Sequence, residues 1–213
     1  SSDLESLIVR PGDDVEARLG DALDLINQLI LTLAAFGGLG MESMTRGTGW
    51  RFLDIGRRVE RAVDVMQLVA GLVGSERSPE GPFLTTLLEA ADSTLTYRSR
   101  YLLALQPTPV LDLLMLDDNN PRSLTFQVNA LEDHIDHLPN LMPDGILSPE
   151  RRLILELASR VRLAEVHELA RANKDGERTR LLGFSRYVTD EVHRLSDLLT
   201  HAYFSHARPA RSL

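Results

Sequence analysis

Apolar residues at helical spacing run through this chain, and no segment alternates apolar and polar residues long enough to predict a strand. Val15, Leu19, Leu23, Ile26, Ile30 and Leu33 recur at three- and four-residue steps. With the "RPGDD" breaker before them and "GGLG" after, they predict a first helix from about Asp13 to Phe36. Residues 37–48 then read as a glycine-rich loop or short irregular helix carrying Glu42 and Arg46. A second helix extends from about Trp50 to Val73 and is followed by the loop "GSERSPEGP". A third covers about Phe83 to Leu105, "QPTP" breaks it, and a short apolar helix, "VLDLLML", comes next. In "DDNNPRS" an asparagine cap precedes Pro121 at a first helical position, which predicts a helix to about His137. Ser148–Pro149 repeats that signal, and two last helices span about Pro149 to Ala172 and Arg178 to His206. The expected fold is all-α, an antiparallel bundle of six or seven helices in a single domain.

Composition narrows function more than fold. The 213 residues are 43% hydrophobic and 25% charged, as in soluble globular proteins. The net charge of −8 opposes nonspecific nucleic-acid binding, which needs Lys and Arg to neutralise phosphates. The basic tail "HARPARSL" is too short to change that. The absence of cysteine removes disulfides, thiolate nucleophiles and zinc–thiolate sites. The apolar window 25–40, interrupted by Asn27 and Gln28, falls short of the roughly 20 residues of a membrane span. A cytoplasmic address without a membrane partner is expected. The chain opens "SSDLES" without a methionine, as a processed protein or a piece of a longer chain would.

The stretch "GWRFLDIGRRVERA" carries the most charge inside a helical pattern. At 100° per residue, Phe52, Gly56, Val59, Val63, Met66 and Ala70 share an apolar face, and Asp54, Arg57, Arg61 and Asp64 fall opposite. The plain reading is a solvated helix laced by local pairs, Asp54 with Arg58 and Arg57 with Glu60. Two features oppose it. Trp50, Leu53 and Val65 share the polar side, and Gly56 in mid-helix costs about 1 kcal/mol unless another backbone comes close. A helix covered on both sides would hold Arg57, Glu60 and Arg61 in partly dry surroundings, where charges must be paired. Acids on other elements could supply the pairing: Glu89 and Asp92, with Tyr97 and Arg98 following, and Asp112 among leucines.

Other chemistry is weakly supported. Asp133, His134 and His137, or His193, Asp197 and His201, have spacings that can share a helix face and bind metal, but neither is a Glu-x-x-His pair. Neither a metal nor a cofactor is expected. No serine sits in a glycine-flanked elbow, and "GGLGMES" lacks the lysine and strand of a phosphate loop.

"GWRFLDIGRRVERA", "LLEAADSTLTYRSRYL", "VLDLLMLDDNNPRSLTFQV" and "AYFSH", in this order, resemble the alpha-E family of bacterial helical domains. The resemblance implies an all-helical fold found beside or fused to circularly permuted ATP-grasp ligase domains, with transglutaminase-like proteases and amidotransferase-type proteins as neighbours. It implies amide-bond chemistry in which the helical domain is accessory. Arg57, Arg58, Glu60 and Arg61 match the family's "GRRxERA" element. Glu89, Asp92, Tyr97 and Arg98 match its third-helix element, and Asp112, Asn120, Pro121, Arg122, Ser123 and Gln127 its "NPRS" element. Family members usually begin with more helical sequence, so the resemblance also implies a C-terminal portion of a longer protein.

Two functional readings follow. One is a non-catalytic module that docks an ATP-grasp ligase domain, in trans or in a fused chain, or a second copy of itself. The other is a peptide-metabolism enzyme or anion-binding domain, whose arginines hold a carboxylate or phosphate by bidentate hydrogen bonds. An arginine facing a cavity with no acid opposite would favour the second.

Overall fold

The computed structural model describes residues 15–76, 80–102, 104–139, 141–143 and 145–205. The breaker at 10–14, the middle of the 74–82 loop and the basic tail lie outside the described residues. Among these residues the chain is all-α: nine α-helices, one π-helical turn and no strand. It divides into two compact units, Ser1–Trp50 and Arg51–Leu213.

In the first unit, α1 runs Val15–Ser43. The glycines at 37, 38 and 40 do not end it, contrary to the sequence expectation. Glycine weakens a helix by about 1 kcal/mol per residue but stops it only with a left-handed residue or a proline. The apolar run therefore lengthens to Arg18–Gly40, which by length and composition matches a membrane span. Leu23, Ile26, Ile30, Leu33, Phe36 and Leu39 each expose more than half of their surface.

The second unit is built around α2 (Thr48–Val73), α6 (Leu124–Asp136), α7 (Pro149–Arg162) and α9 (Thr179–Tyr203). Met66, Val69, Leu131, Leu157, Val188 and Leu195 lie in its core. The helix α6 packs on α7, and α7 on α9. Ser185 of α9 donates to the Met66 carbonyl of α2 at 2.9 Å. The close backbone approach expected at Gly56 is absent: a Cβ there would meet nothing within 4 Å. Crowding is found instead at Gly74, where a Cβ would stand 2.3 Å from the Ala70 oxygen of the preceding turn and 2.6 Å from the Leu182 side chain.

The predicted third helix is two, α3 (Gly81–Ala90) and α4 (Thr94–Tyr101). Asp92 adopts φ 49, Asp92 N–H donates to Glu89 O at 3.0 Å, and Ser93 N–H donates to Leu88 O at 2.8 Å. This is a Schellman cap with aspartate in the place glycine usually holds. Aspartate tolerates that conformation better than most residues, so the break carries no glycine signal.

The short helix is α5 (Pro107–Leu111), which passes into a π-helical turn, Asp112–Leu116. The turn frees carbonyls that side chains then satisfy. Asn120 donates to Leu113 O at 3.1 Å, Thr125 to Met115 O at 2.7 Å, and Ser123 to Asp117 O. Ser123, not Asn120, caps α6, its hydroxyl accepting from Phe126 N–H at 3.1 Å. Pro121 sits in the turn before that helix.

Beyond Pro149, the predicted long helix stops at Arg162, and α8 (Val166–Ala170) follows. Leu163 and Ala164 are good helix formers, so propensity predicts continuation. Packing overrides it: Leu163 is turned to solvent while Leu169 is buried.

Candidate functional site

One turn of α2 centres on a buried carboxylate. Asp54 is 2% exposed and draws in polar groups from α2 and α6. Arg58 Nε donates to its Oδ2 at 3.0 Å, and Arg57 NH1 lies 3.6 Å from Oδ1. His134 of α6 donates from Nε2 at 2.7 Å. Arg51 NH1 donates to His134 Nδ1 at 3.3 Å, which places the imidazole proton on Nε2. Arg58 also donates to Gln127 Oε1 at 3.2 Å, and Gln127 donates onward to Pro121 O at 2.7 Å and Ser123 O at 3.2 Å. Burial pushes the Asp54 pKa up, but the His134 hydrogen bond and the Arg58 charge more than offset this and hold it at about 2. Every member is partnered, as a buried polar network requires. His134 has both ring nitrogens engaged and is buried, so it braces the network and is not placed for metal binding.

One turn further, the environment changes. Arg61 is half-buried and lines a cavity of about 720 Å3 with Asp64, Val65, Leu68, Leu72, Ala90 and Arg122, among others. Among the described residues no carboxylate pairs with Arg61, while Arg57 and Arg58 share Asp54 and Arg122 pairs with Asp92 at 2.8 Å. Burial first, and then the charges of Arg122, Arg58 and Arg57, lower the Arg61 pKa, with Asp54 opposing. A guanidinium in that field gains from any anion that enters the cavity. The cavity walls are otherwise mostly apolar.

A family model described as "a predicted alpha-helical domain with a conserved ER motif" matches residues 3–204. The chain belongs to the Alpha-E family. Curated relatives include the uncharacterized proteins Rv2567 and MT2643 of Mycobacterium tuberculosis and Mb2597 of Mycobacterium bovis. Each is 31% identical over 173 residues, which cover 80% of this chain and 19% of the relative. The chain thus spans about a fifth of the length of these relatives. No solved structure matches it.

This Alpha-E chain holds four Glu–Arg dipeptides, at 60–61, 76–77, 150–151 and 177–178. Arg77 lies outside the described residues. Arg178 is buried and clamps helix ends, donating to Val73 O and Ala170 O at 2.8 Å each and to Glu80 at 2.6 Å. Glu150 is buried and faces Tyr203, whose hydroxyl lies 3.4 Å away. Burial, then the Glu150 charge, pushes that hydroxyl up to about 12. Arg151 pairs with Asp136 at 3.4 Å. Only at Glu60–Arg61, among the described residues, does the arginine face a cavity without an acid partner.

The Alpha-E structure brings together fewer of the sequence candidates than expected. Arg57, Arg58 and Gln127 join the Asp54 network, and Arg61 and Arg122 line the cavity. Glu60, expected between neighbouring helices, is exposed because the buried face of α2 follows Ile55, Ala62, Met66 and Val69. Glu89 and Arg98 are exposed and form no ion pair among the described residues. Asp112 pairs with no arginine among the described residues and instead accepts from Tyr101 at 2.5 Å; burial and that bond push the Tyr101 hydroxyl up. Tyr97 is buried and donates to Ala104 O at 3.3 Å. Asn120 serves the π-helical turn. Arg46, in the first unit, lies 4.4 Å over the Trp50 ring. Sequence reasoning gave too little weight to Asp54, Arg51 and His134. The signal for His134 was present: Leu131, His134, Ile135 and Leu138 fall at buried helical spacing.

Proposed function

We propose that this domain is an anion-binding helical module that serves an ATP-grasp-type ligase in forming or modifying amide bonds. The observation that supports it is Arg61, set beside Arg122 in a mostly apolar cavity and forming no ion pair among the described residues, although Asp64 lines the same cavity. A half-buried guanidinium favours carboxylate and phosphate, the groups ATP-dependent ligases handle. The ligase as partner comes from the family resemblance. It accords with relatives in which the matched region is 19% of the length, room for further domains.

The test is a thermal-shift titration with inorganic phosphate at fixed ionic strength. At tenfold excess over its dissociation constant, phosphate adds about 1.4 kcal/mol, roughly 3–5 °C. Arg61→Gln abolishes the rise. An equal rise in that variant would overturn the assignment. Retention of a co-expressed ATP-grasp ligase on the immobilised domain tests the partner, and its absence from the eluate would leave the domain without the assigned role.

A further inference from the structure

The cavity beside α2 is graded, not uniform. Arg61 and Arg122 stand with Asp64 toward one end of the helix, and Leu68, Gly71 and Leu72 continue along it. At 1.5 Å per residue, Arg61 to Leu72 covers about 16 Å. An extended peptide rises about 3.3 Å per residue, so four to five residues fit that length. The charged end supplies two guanidinium groups, that of Arg122 already paired with Asp92 at 2.8 Å, and the carboxylate of Asp64, which is exposed and pairs with no cation among the described residues. A terminal carboxylate and the N–H groups just before it are the complement of that set. The floor then needs apolar side chains, and the exposed Gln67 at its margin supplies hydrogen bonds for backbone amides. A plain acyl chain would match the arginines and the floor but leave Asp64 and Gln67 facing methylenes.

We propose that this cavity binds the C-terminal four or five residues of an apolar peptide, its free carboxylate held by Arg61 and Arg122, its amide N–H by Asp64, and its side chains on Leu68 and Leu72. This rests on the anion-binding reading above and deepens it to a substrate class.

Gly71 offers a clean block. Gly71 lines the cavity, and a Cβ there would meet nothing within 4 Å among the described residues. Leucine is also a better helix former than glycine, so Gly71→Leu is expected to fold.

The experiment is isothermal calorimetry on the whole chain at low salt, with four probes. These are an N-acetylated tetrapeptide of alanine and leucine with a free carboxylate, its C-terminal amide, octanoate and inorganic phosphate. The free acid is expected to bind one to one, and the amide and octanoate at least tenfold more weakly. Arg61→Gln should lose both peptide and phosphate. Gly71→Leu should lose the peptide by tenfold or more and keep phosphate. Equal binding of acid and amide, stronger binding of octanoate, or unchanged peptide binding in Gly71→Leu would each overturn the peptide assignment. Phosphate binding without peptide binding overturns this inference and leaves the anion-binding reading standing. Binding of neither overturns both.

Discussion

Arg58 and Arg61 stand one turn apart on the same helix, and their surroundings give them different work. Arg58 has a carboxylate at 3.0 Å and a glutamine at 3.2 Å, both fixed by further bonds. Arg61 has three arginines acting on it and a cavity in front. The first is consumed by the fold, and the second is the one proposed to meet a ligand. The difference lies in what other elements bring: α6 delivers His134 and Gln127 to one turn, while the loop before α6 delivers Arg122, a like charge, to the next.

The strongest way to break this contrast is Asp54→Ala. It strands Arg58 and His134 in buried surroundings and should cost about 3–5 kcal/mol, on the order of 10 °C in melting temperature. A change of one or two degrees in a melting curve would mean the network is ornamental. Acid titration probes the same turn from the solvent side. The folded pKa of Asp54 is about 2, below the ordinary 3.8, so its contribution is complete above about pH 4 and is lost as pH falls toward 2. That loss is roughly 2 kcal/mol, and Asp54→Asn should flatten the slope of stability against pH in that window. Urea unfolding at pH 5, 4 and 3 reads it directly.

Asp92→Gly sharpens the ligand side. The residue has φ 49, so glycine keeps the turn, while the ion pair to Arg122 is removed. An exposed pair is worth about 0.2–1 kcal/mol, so phosphate affinity should rise about 1.4- to fivefold. A weaker affinity would mean that Asp92 positions Arg122 rather than competing for it. The smallest effect belongs to Glu60→Ala. Glu60 is exposed, and the change should stay within about 0.5 kcal/mol. A loss of several degrees would return it to the interior.

Much of the fold was legible because helices announce themselves locally. The periodicity gave the helical class, and Ser148–Pro149 marked the start of α7. What escaped depended on tertiary context or unusual backbone. The break after α3 rests on an aspartate in a glycine's conformation, and α7 ends where packing, not propensity, turns the chain. The site was legible by region but not by role. Arg57, Arg58 and Arg61 look alike on a helical wheel, and Asp54 looks like a local partner. That Asp54 is the hub follows from His134, 80 residues away in sequence, and no spacing rule reaches that far.

The most direct test follows the side-chain Nε–H signals of the arginines by NMR while phosphate is added at constant ionic strength. The account predicts that Arg61 and Arg122 shift progressively and saturate while Arg58 stays fixed, because its guanidinium is already bound to Asp54 and Gln127. Shifts of equal size at Arg58 and Arg61, or none at either, would contradict the division of α2 into a turn that holds the fold and a turn that holds a ligand.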